Sequence, residues 1–449
     1  MVRAAFLTLG CKVNSYETGR MVKLFEEAGH IVVPFEDYAD VYIVNTCTVT
    51  NIADRKSRQM LHKARKLNPG AVIAAAGCYV DSALKKGEKD ESIDIFIPNK
   101  DKMDIVNIIC NEIAKREQDI KNTQSQYTIQ VKDRHTRAYI KVQDGCTQYC
   151  TYCIIPYVRG GLKSRDVESV VKEAEGLAAG GCKEIVITGI HISSYGAVTN
   201  NADEFVKLKG MPLLKLVQAV SQVNGIERIR LGSLEPRIIS EDFIKGLASV
   251  PQICPHFHLS LQSGSDTVLK RMNRHYTTEE YLAGLGIARK YFENPAITTD
   301  IITGFPGETE KEFEETMDFA QKAGFAKIHV FKYSRRYGTA ADKMDCQISE
   351  AVKSERSTRL SALEKELGIQ YQKQALKKYE NVLFEEITET GSKKYIVGYN
   401  ERYIRIAVPA ENIPCAEELC NTIGSVCIVG RDDNEMLTGY YNLLTEKTE

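Results

Sequence analysis

Gly145-Cys146-Thr147-Gln148-Tyr149-Cys150-Thr151-Tyr152-Cys153 sets three thiols within eight residues, directly after an apolar run, Ala138–Val142, that reads as a β-strand. Cysteines this close wrap one small metal cluster. A [4Fe–4S] cube takes a ligand on every iron, so three cysteines leave one iron open to an exogenous ligand. Packed core thiols are the bland alternative, and a zinc site has no obvious fourth ligand nearby. Beyond this loop, Glu184–Thr188, Arg228–Gly232, His256–Leu261, Ile297–Ile302 and Lys327–Phe331 are further short apolar runs with helical patterns between them. Six strand–helix units in one direction predict a partial (β/α)6 barrel with its chemistry at the carboxyl ends of the strands.

Upstream, Val2–Thr8, Val41–Val44, Ala71–Ala76 and Ile93–Ile97 alternate with long amphipathic runs, the pattern of a doubly wound parallel α/β sheet. The polar stretch Ala114–Arg137 lacks Gly and Pro and reads as a linker. Downstream, a charged helix over about Ser349–Tyr379 leads to Val382–Ile387, Lys394–Tyr399, Ile404–Val408, Ser425–Val429 and Leu437–Tyr441, which read as a small antiparallel β-barrel. The expected organisation is therefore an α/β chain with an amino-terminal domain over 1–113, a linker over 114–136, a partial barrel over 137–370 and a β-barrel over 371–449.

Composition narrows the classes. With 43% apolar and 27% charged residues the chain is an ordinary globular protein rather than a disordered one. No apolar run reaches the roughly 18–20 residues of a membrane span, and Met1 leads into a strand rather than a signal peptide. The expectation is a cytoplasmic protein with no membrane partner. Thirteen cysteines in a reducing compartment turn the question from disulfides to metals. A net charge of −1 gives no global pull on nucleic acid, so any such contact must be local.

A second set of cysteines is dispersed. Cys11, Cys47 and Cys78 each fall just past the end of a predicted parallel strand, in Leu9-Gly10-Cys11-Lys12-Val13-Asn14, Asn45-Thr46-Cys47-Thr48-Val49 and Ala76-Gly77-Cys78-Tyr79. Such ends converge on one crevice in an open α/β sheet. Position alone leaves a second cluster and buried thiols equally open. Cys110, Cys182, Cys254, Cys346, Cys415, Cys420 and Cys427 show no pairing pattern and read as mostly buried thiols.

The CxxxCxxC spacing, with an aromatic before its last cysteine, resembles the radical S-adenosylmethionine (SAM) superfamily. The two cysteine sets together resemble the methylthiotransferase family across essentially the whole chain. Matching stretches include Tyr152-Cys153-Ile154-Ile155-Pro156, Arg159-Gly160, Ser164-Arg165, Leu261-Gln262-Ser263-Gly264 and Thr299 through Thr309. Gly10-Cys11-Lys12-Val13-Asn14 with Glu17-Thr18 is similar to the branch acting on N6-threonylcarbamoyladenosine in tRNA. This resemblance implies two [4Fe–4S] clusters, held by Cys146, Cys150 and Cys153 and by Cys11, Cys47 and Cys78. It implies that one SAM is cleaved to a 5′-deoxyadenosyl radical and another donates a methyl group to sulfur, so that a methylthio group replaces the C2 hydrogen of a tRNA adenosine. A carboxy-terminal TRAM-like RNA-binding module, the tRNA anticodon stem-loop as partner, an electron donor such as flavodoxin or ferredoxin, and a monomeric state are the further expectations. Thr147 stands where the family often has Asn, and Ser334-Arg335-Arg336-Tyr337-Gly338-Thr339 replaces a loop usually flanked by prolines, leaving Arg336 without an assigned role.

On the same resemblance, Tyr152, Thr188, Gly189, Gln262, Ser263, Gly304, Phe305 and Pro306 are the expected SAM contacts, the last three in a turn whose backbone can approach a nucleotide. Thr188 and Gly189 end the second barrel strand. His191 beside them reads as structural, and no catalytic residue is expected beyond the cluster ligands. For RNA, Arg55, Arg58, His62 and Arg65 recur at helical spacing in NIADRKSRQMLHKARK, making one basic face next to Cys47. A solvated charged face is the default reading of such a run. In the tail acidic residues outnumber basic ones, yet Lys393, Lys394, Arg402 and Arg405, with Tyr395, Tyr399 and Tyr403 for stacking, mark a local basic strip.

Overall fold

The structure, a computed structural model, describes residues 1–87, 90–119, 136–197, 208, 210–390, 393–413, 415–432 and 436–441. The chain divides into two compact units, and the division does not follow the sequence. One unit is Met1–Asp133 with Asp144–Gly161 and Ser334–Lys343; the other is Arg134–Gln143, Leu162–Tyr333 and Met344–Glu449.

The first unit is built on strands β1 (Arg3–Thr8), β2 (Ile31–Val33), β3 (Val41–Thr46), β4 (Val72–Gly77) and β5 (Ile95–Ile97). All their pairings are parallel, in the order β2-β1-β3-β4-β5. Every residue of β3 and β4 is buried, as expected of parallel strands covered on both faces. Alternation sorts them into two cores, with Tyr42, Val44, Ile73 and Ala75 on one side and Val41, Ile43, Val72, Ala74 and Ala76 on the other. Helices α1 (Lys12–Glu27), α2 (Asn51–Leu67), α3 (Cys78–Lys86) and α4 (Ile105–Asp119) complete the alternation. Strand β2 is too short, at three residues, to have been read from the sequence. Ala114–Asp119, expected in the linker, continues α4, and 120–135 lie outside the described residues.

In the second unit six parallel strands form the partial barrel: β6 (Arg137–Asp144), β8 (Glu184–Gly189), β9 (Arg228–Leu231), β10 (His256–His258), β11 (Ala296–Thr303) and β12 (Lys327–Lys332). A two-residue strand β7 (Lys163–Ser164) flanks β6, whose last residue falls to the first unit. Single parallel bridges, Ile229 to Ile253 and Leu234 to Leu259, join the β9 and β10 regions. The expected α/β class and partial barrel are therefore present. β13 (Tyr379–Thr390), β14 (Lys393–Asn400), β15 (Arg405–Pro409), β16 (Ile423–Arg431) and β17 (Leu437–Tyr441) close the carboxy-terminal barrel in the order β13-β14-β15-β17-β16. Its pairings are antiparallel except for the short parallel contact of β15 with β17.

Buried charge joins the two barrels of this unit. Arg137 and Glu184 begin β6 and β8, and Arg230 is the third residue of β9; Glu184 Oε1 accepts from Arg137 Nε at 2.6 Å and from Arg230 Nε at 2.8 Å. Arg228 donates to the carbonyls of Tyr399 (2.9 Å) and Asn381 (2.7 Å), and Arg230 to that of Glu401 (2.9 Å). Tyr399 and Tyr403 stack at 4.7 Å, with the Arg137 and Arg230 guanidinium groups 4.9 and 4.6 Å from the Tyr403 ring.

Candidate active site

Both sets of cysteines singled out in the sequence lie in the first unit. Cys11 caps the amino terminus of α1 and Cys78 is the first residue of α3, while Cys47 follows β3 directly. β1 and β3 are adjacent although β2 separates them in sequence, which makes their carboxyl ends the switch point of the sheet. Cys11 is exposed, Cys47 and Cys78 are buried. Gly10 holds φ at +103°, and a Cβ there would stand 2.6 Å from the Cys47 Cβ and 2.7 Å from its Sγ; only glycine lets the Cys11 loop approach Cys47 this closely. Burial, then the neighbouring Cys78 and Cys11, pushes the Cys47 thiol up to about 11. A buried thiol whose ionisation its surroundings disfavour, beside two more thiols at helix amino termini that favour anions, forms a donor set completed by a cation, which suits an iron–sulfur cluster.

The Cys146–Cys153 loop is folded on itself by Cys153 N donating to Cys150 O (2.9 Å) and Cys146 N to Gly160 O (3.1 Å). Tyr149 takes φ of +47° and Gly145 φ of +73°, so the chain turns sharply ahead of each of the first two cysteines. The short helix α5 (Ile155–Arg159) follows. Its last residue was not singled out as a site in the sequence, yet it connects the two cysteine sets. Arg159, with 1% of its side chain exposed, donates to Glu17 Oε1 (2.9 Å), Asp144 Oδ1 (3.2 Å) and Asn14 Oδ1 (3.2 Å). Burial works against its charge, but Cys78, Glu17 and Asp144 hold its pKa above the usual range. Glu17 also receives Lys102 Nζ at 2.5 Å. Asn14 donates to the carbonyls of Leu9 (2.7 Å) and Thr46 (2.9 Å), tying the Cys11 loop to the strand before Cys47. Asn14 and Glu17, noted in the sequence for resemblance alone, thus clasp both cysteine loops. Arg336 is also here, 7% exposed, donating to Val49 O at 3.2 Å and lying 3.9 Å from Asp54.

Tyr152 belongs to this unit; the other expected SAM contacts belong to the second. There Gln262 (φ +73°) closes the β10–β11 end through Gln262 N to Asp300 O at 2.8 Å. The Ser263 hydroxyl lies 3.3 Å from Thr316 Oγ1, and Phe305 is fully buried with its ring 5.5 Å from Tyr333. The backbone rather than the side chain of these two residues is left for a ligand. Glu308 shapes the Gly304–Gly307 turn by accepting from Gly304 N (2.7 Å) and Arg356 Nη1 (2.8 Å). Thr188 is buried, and at Gly189 a Cβ would come within 2.7 Å of Gln143 O. His191 is structural in its contacts, with Nδ1 2.7 Å from Ser194 Oγ and burial lowering its pKa to about 3.

The RNA candidates separate. Arg55 and Arg58 are exposed on α2 without an ion-pair partner among the described residues. Arg65 is not available with them: it donates to Ala71 O (2.8 Å) and Asp94 Oδ2 (2.5 Å), locking α2 to the sheet. In the tail, Arg402 is paired with Glu380 (2.8 Å), Arg405 with Glu386 (3.4 Å) and Lys394 with Glu389 (3.6 Å), while Lys393 is exposed. Tyr399 and Tyr403 are spent on the arginines described above. Of the seven unassigned cysteines only Cys182 and Cys254 are buried; Cys346 and Cys415 are exposed in turns with φ of +55° and +51°. Among the described residues no helix is long and apolar enough to cross a membrane.

A three-thiol loop that follows the first strand of a partial barrel in the chain defines the class, and comparison with known proteins agrees. The model of the radical SAM superfamily matches residues 140–320, and that of the uncharacterized protein family UPF0004 matches residues 3–98. Two structures of the radical SAM methyltransferase TsrM from Kitasatospora setae share the fold, with TM-scores of 0.53 and 0.52 at 15% and 16% identity; they cover 81% and 76% of this chain and 89% and 77% of theirs. The cofactors of this class are a [4Fe–4S] cluster and SAM. The threonylcarbamoyladenosine tRNA methylthiotransferase MtaB of Bacillus subtilis (strain 168) is 41% identical over 419 residues, 90% of each chain. Its counterpart in Aquifex aeolicus (strain VF5) is 35% identical over 91% of this chain and 100% of that protein. The tRNA-2-methylthio-N(6)-dimethylallyladenosine synthase of Thermoanaerobacter sp. (strain X514) is 34% identical over 86% of this chain and 83% of its own. The chain belongs to the radical SAM tRNA methylthiotransferase family, whose members use two clusters.

Proposed function

We propose that this protein transfers a methylthio group to C2 of N6-threonylcarbamoyladenosine beside the anticodon in tRNA. The observation that carries the two-site reading is that both cysteine triplets stand in one compact unit with Arg159 between them. Cys146, Cys150 and Cys153 would hold the cluster that binds SAM, and Cys11, Cys47 and Cys78 the auxiliary one. When bound, these groups supply a 5′-deoxyadenosyl radical and a methylated sulfur, chemistry that a C2–H bond, neither acidic nor electrophilic, requires. The chain's own contribution is placement. Gly10 and Asn14 bring Cys11 onto Cys47, and Arg159 fixes the Cys146–Cys153 loop against α1 through buried charged hydrogen bonds, which are stronger than neutral ones. Thr188, Gly189, Gln262 and the Gly304–Pro306 turn would face the SAM nucleoside, and Tyr152 its cluster end.

The substrate reading rests on the 41% identity to the threonylcarbamoyladenosine enzyme of Bacillus subtilis, against 34% to the dimethylallyladenosine synthase of Thermoanaerobacter. Purified, reconstituted protein should methylthiolate tRNA carrying threonylcarbamoyladenosine and leave isopentenyladenosine tRNA unchanged; nucleoside mass spectrometry reads both. Turnover of the isopentenyl substrate alone rejects this assignment while leaving the chemistry intact.

For tRNA we assign the exposed α2 face. Arg55→Gln with Arg58→Gln should weaken tRNA binding and lower the salt slope by about two, one for each lost phosphate contact. Affinity titrations at several salt concentrations measure this, and an unchanged slope returns the helix to a merely solvated face. Arg65 is left intact in this test because its loss would unseat the helix.

A further inference from the structure

Away from the cysteines, the second unit gathers three other metal-ligating side chains. His258 on β10, Asp300 on β11 and His329 on β12 each bring one ligand atom within 4.8 Å of the other two. They come from adjacent, hydrogen-bonded parallel strands, in which His258 pairs with Thr298 and Asp300 with His329. Their spacing is therefore set by backbone register rather than by flexible surface chains. Phe257, Ile297, Ile301 and Ile328 of the same strands enter the core packed by the helices, so the two-residue period of a strand turns these three ligands to the opposite face.

The surroundings are those of a prepared site. Thr298 Oγ1 lies 3.0 Å from His258 Nδ1 and orients the ring, leaving Nε2 3.2 Å from Asp300 Oδ2. Metal-binding imidazoles are typically held in this way through their second nitrogen. Side-chain exposure is 13% at His258 and 28% at Asp300, yet among the described residues no lysine or arginine pairs with this carboxylate. Lys327, on the same strand as His329, is taken by Glu364 at 2.8 Å. A simple His–Asp hydrogen bond would explain His258 but not His329, whose ring stands 5.6 Å from that of His258 and has no hydrogen-bond partner among the described residues.

We propose that His258, Asp300 and His329 bind one divalent transition-metal ion, separate from the iron–sulfur clusters. Two imidazoles and a carboxylate on one side of an ion leave its other positions open. Nitrogen and oxygen donors suit Mn2+, Fe2+ or Zn2+, and Mn2+ is the useful probe because thiolates compete for it poorly.

The test takes holoenzyme with assembled clusters, freed of loose metal, and titrates it with MnCl2 while the electron paramagnetic resonance signal of free Mn2+ is followed. One ion per chain should bind and be displaced by Zn2+. Asp300→Asn and His329→Gln should each weaken binding about tenfold or more, and Thr298→Val, which keeps every ligand, about ten- to a hundredfold. His329→Gln alters an exposed position, so its cluster iron and visible absorption should match the wild type. Absence of saturable Mn2+ binding up to millimolar concentration, or binding unchanged in both Asp300→Asn and His329→Gln, overturns the proposal.

Discussion

A Cys47→Ala protein should still release 5′-deoxyadenosine from SAM when reduced, and should form no methylthio-adenosine. Radical generation needs only the loop of Cys146, Cys150 and Cys153, whose backbone closes on itself and on Gly160 without help from Cys47. On the proposed assignment, sulfur transfer needs the set that Cys47 completes, in which it is buried at the switch point and packed on Gly10. Cys150→Ala should fail the other way, with no deoxyadenosine. Iron should fall in either variant from about eight per chain towards about four, because each loses one [4Fe–4S] site. Measuring iron, deoxyadenosine and modified nucleoside in parallel distinguishes the two losses. Full methylthiolation by folded Cys47→Ala protein would reduce Cys11, Cys47 and Cys78 to structural thiols.

Glu184→Ala should be the most damaging change outside the cysteines. It removes the one carboxylate shared by Arg137 and Arg230, whose side chains are 10% and 1% exposed, leaving Arg137 with Glu385 alone and the buried Arg230 with no acidic partner among the described residues. Breaking a buried pair in this way costs about 3–5 kcal/mol. The same network makes stability depend on pH. Burial opposes ionisation of Glu184, but Arg230 and Arg137 outweigh it and draw its pKa from 4.5 down to about 2. A folded value below the unfolded one means the stabilisation, about 3 kcal/mol, is complete above pH 4.5 and disappears as pH falls towards 2. Urea unfolding of wild type and Glu184→Gln should therefore differ most near neutrality and converge on acidification. A gap that stays constant with pH would place the effect in packing rather than charge.

What was legible in the sequence was what local pattern encodes. Continuous apolar runs such as Val41–Val44 declare buried parallel strands, and Cys146–Cys153 is compact enough to be read as a single loop. The three dispersed cysteines were placed correctly past their strands because the rule for open sheets concerns strand ends. What escaped depends on partners distant in the chain. Arg159 meets Glu17 across 142 residues, and His258, Asp300 and His329 are joined only by strand register. Arg65 shares a helical face with Arg55 and Arg58, but periodicity could not disclose that Asp94 claims it. The same holds in the tail strip, where Arg402, Arg405 and Lys394 have acidic partners on β13.

The interleaved make-up of the first unit also sets a timetable for its synthesis. Its sheet is complete once β5 has emerged, but Arg159 is made only 142 residues after the Glu17 it pairs with, and Arg336 reaches Val49 only 287 residues after that residue. At about 5–20 residues per second, translating from residue 119 to 161 takes roughly 2–8 seconds, and on to 343 roughly 10–45 seconds in all. Until residue 161 is made, the nascent amino-terminal segment holds Glu17 without Arg159 and three cysteines without their companion loop. On the proposed assignment, iron loading of the auxiliary triplet should wait for residues 144–161, and a ribosome-bound fragment that ends before them should be a poor acceptor of iron–sulfur cargo.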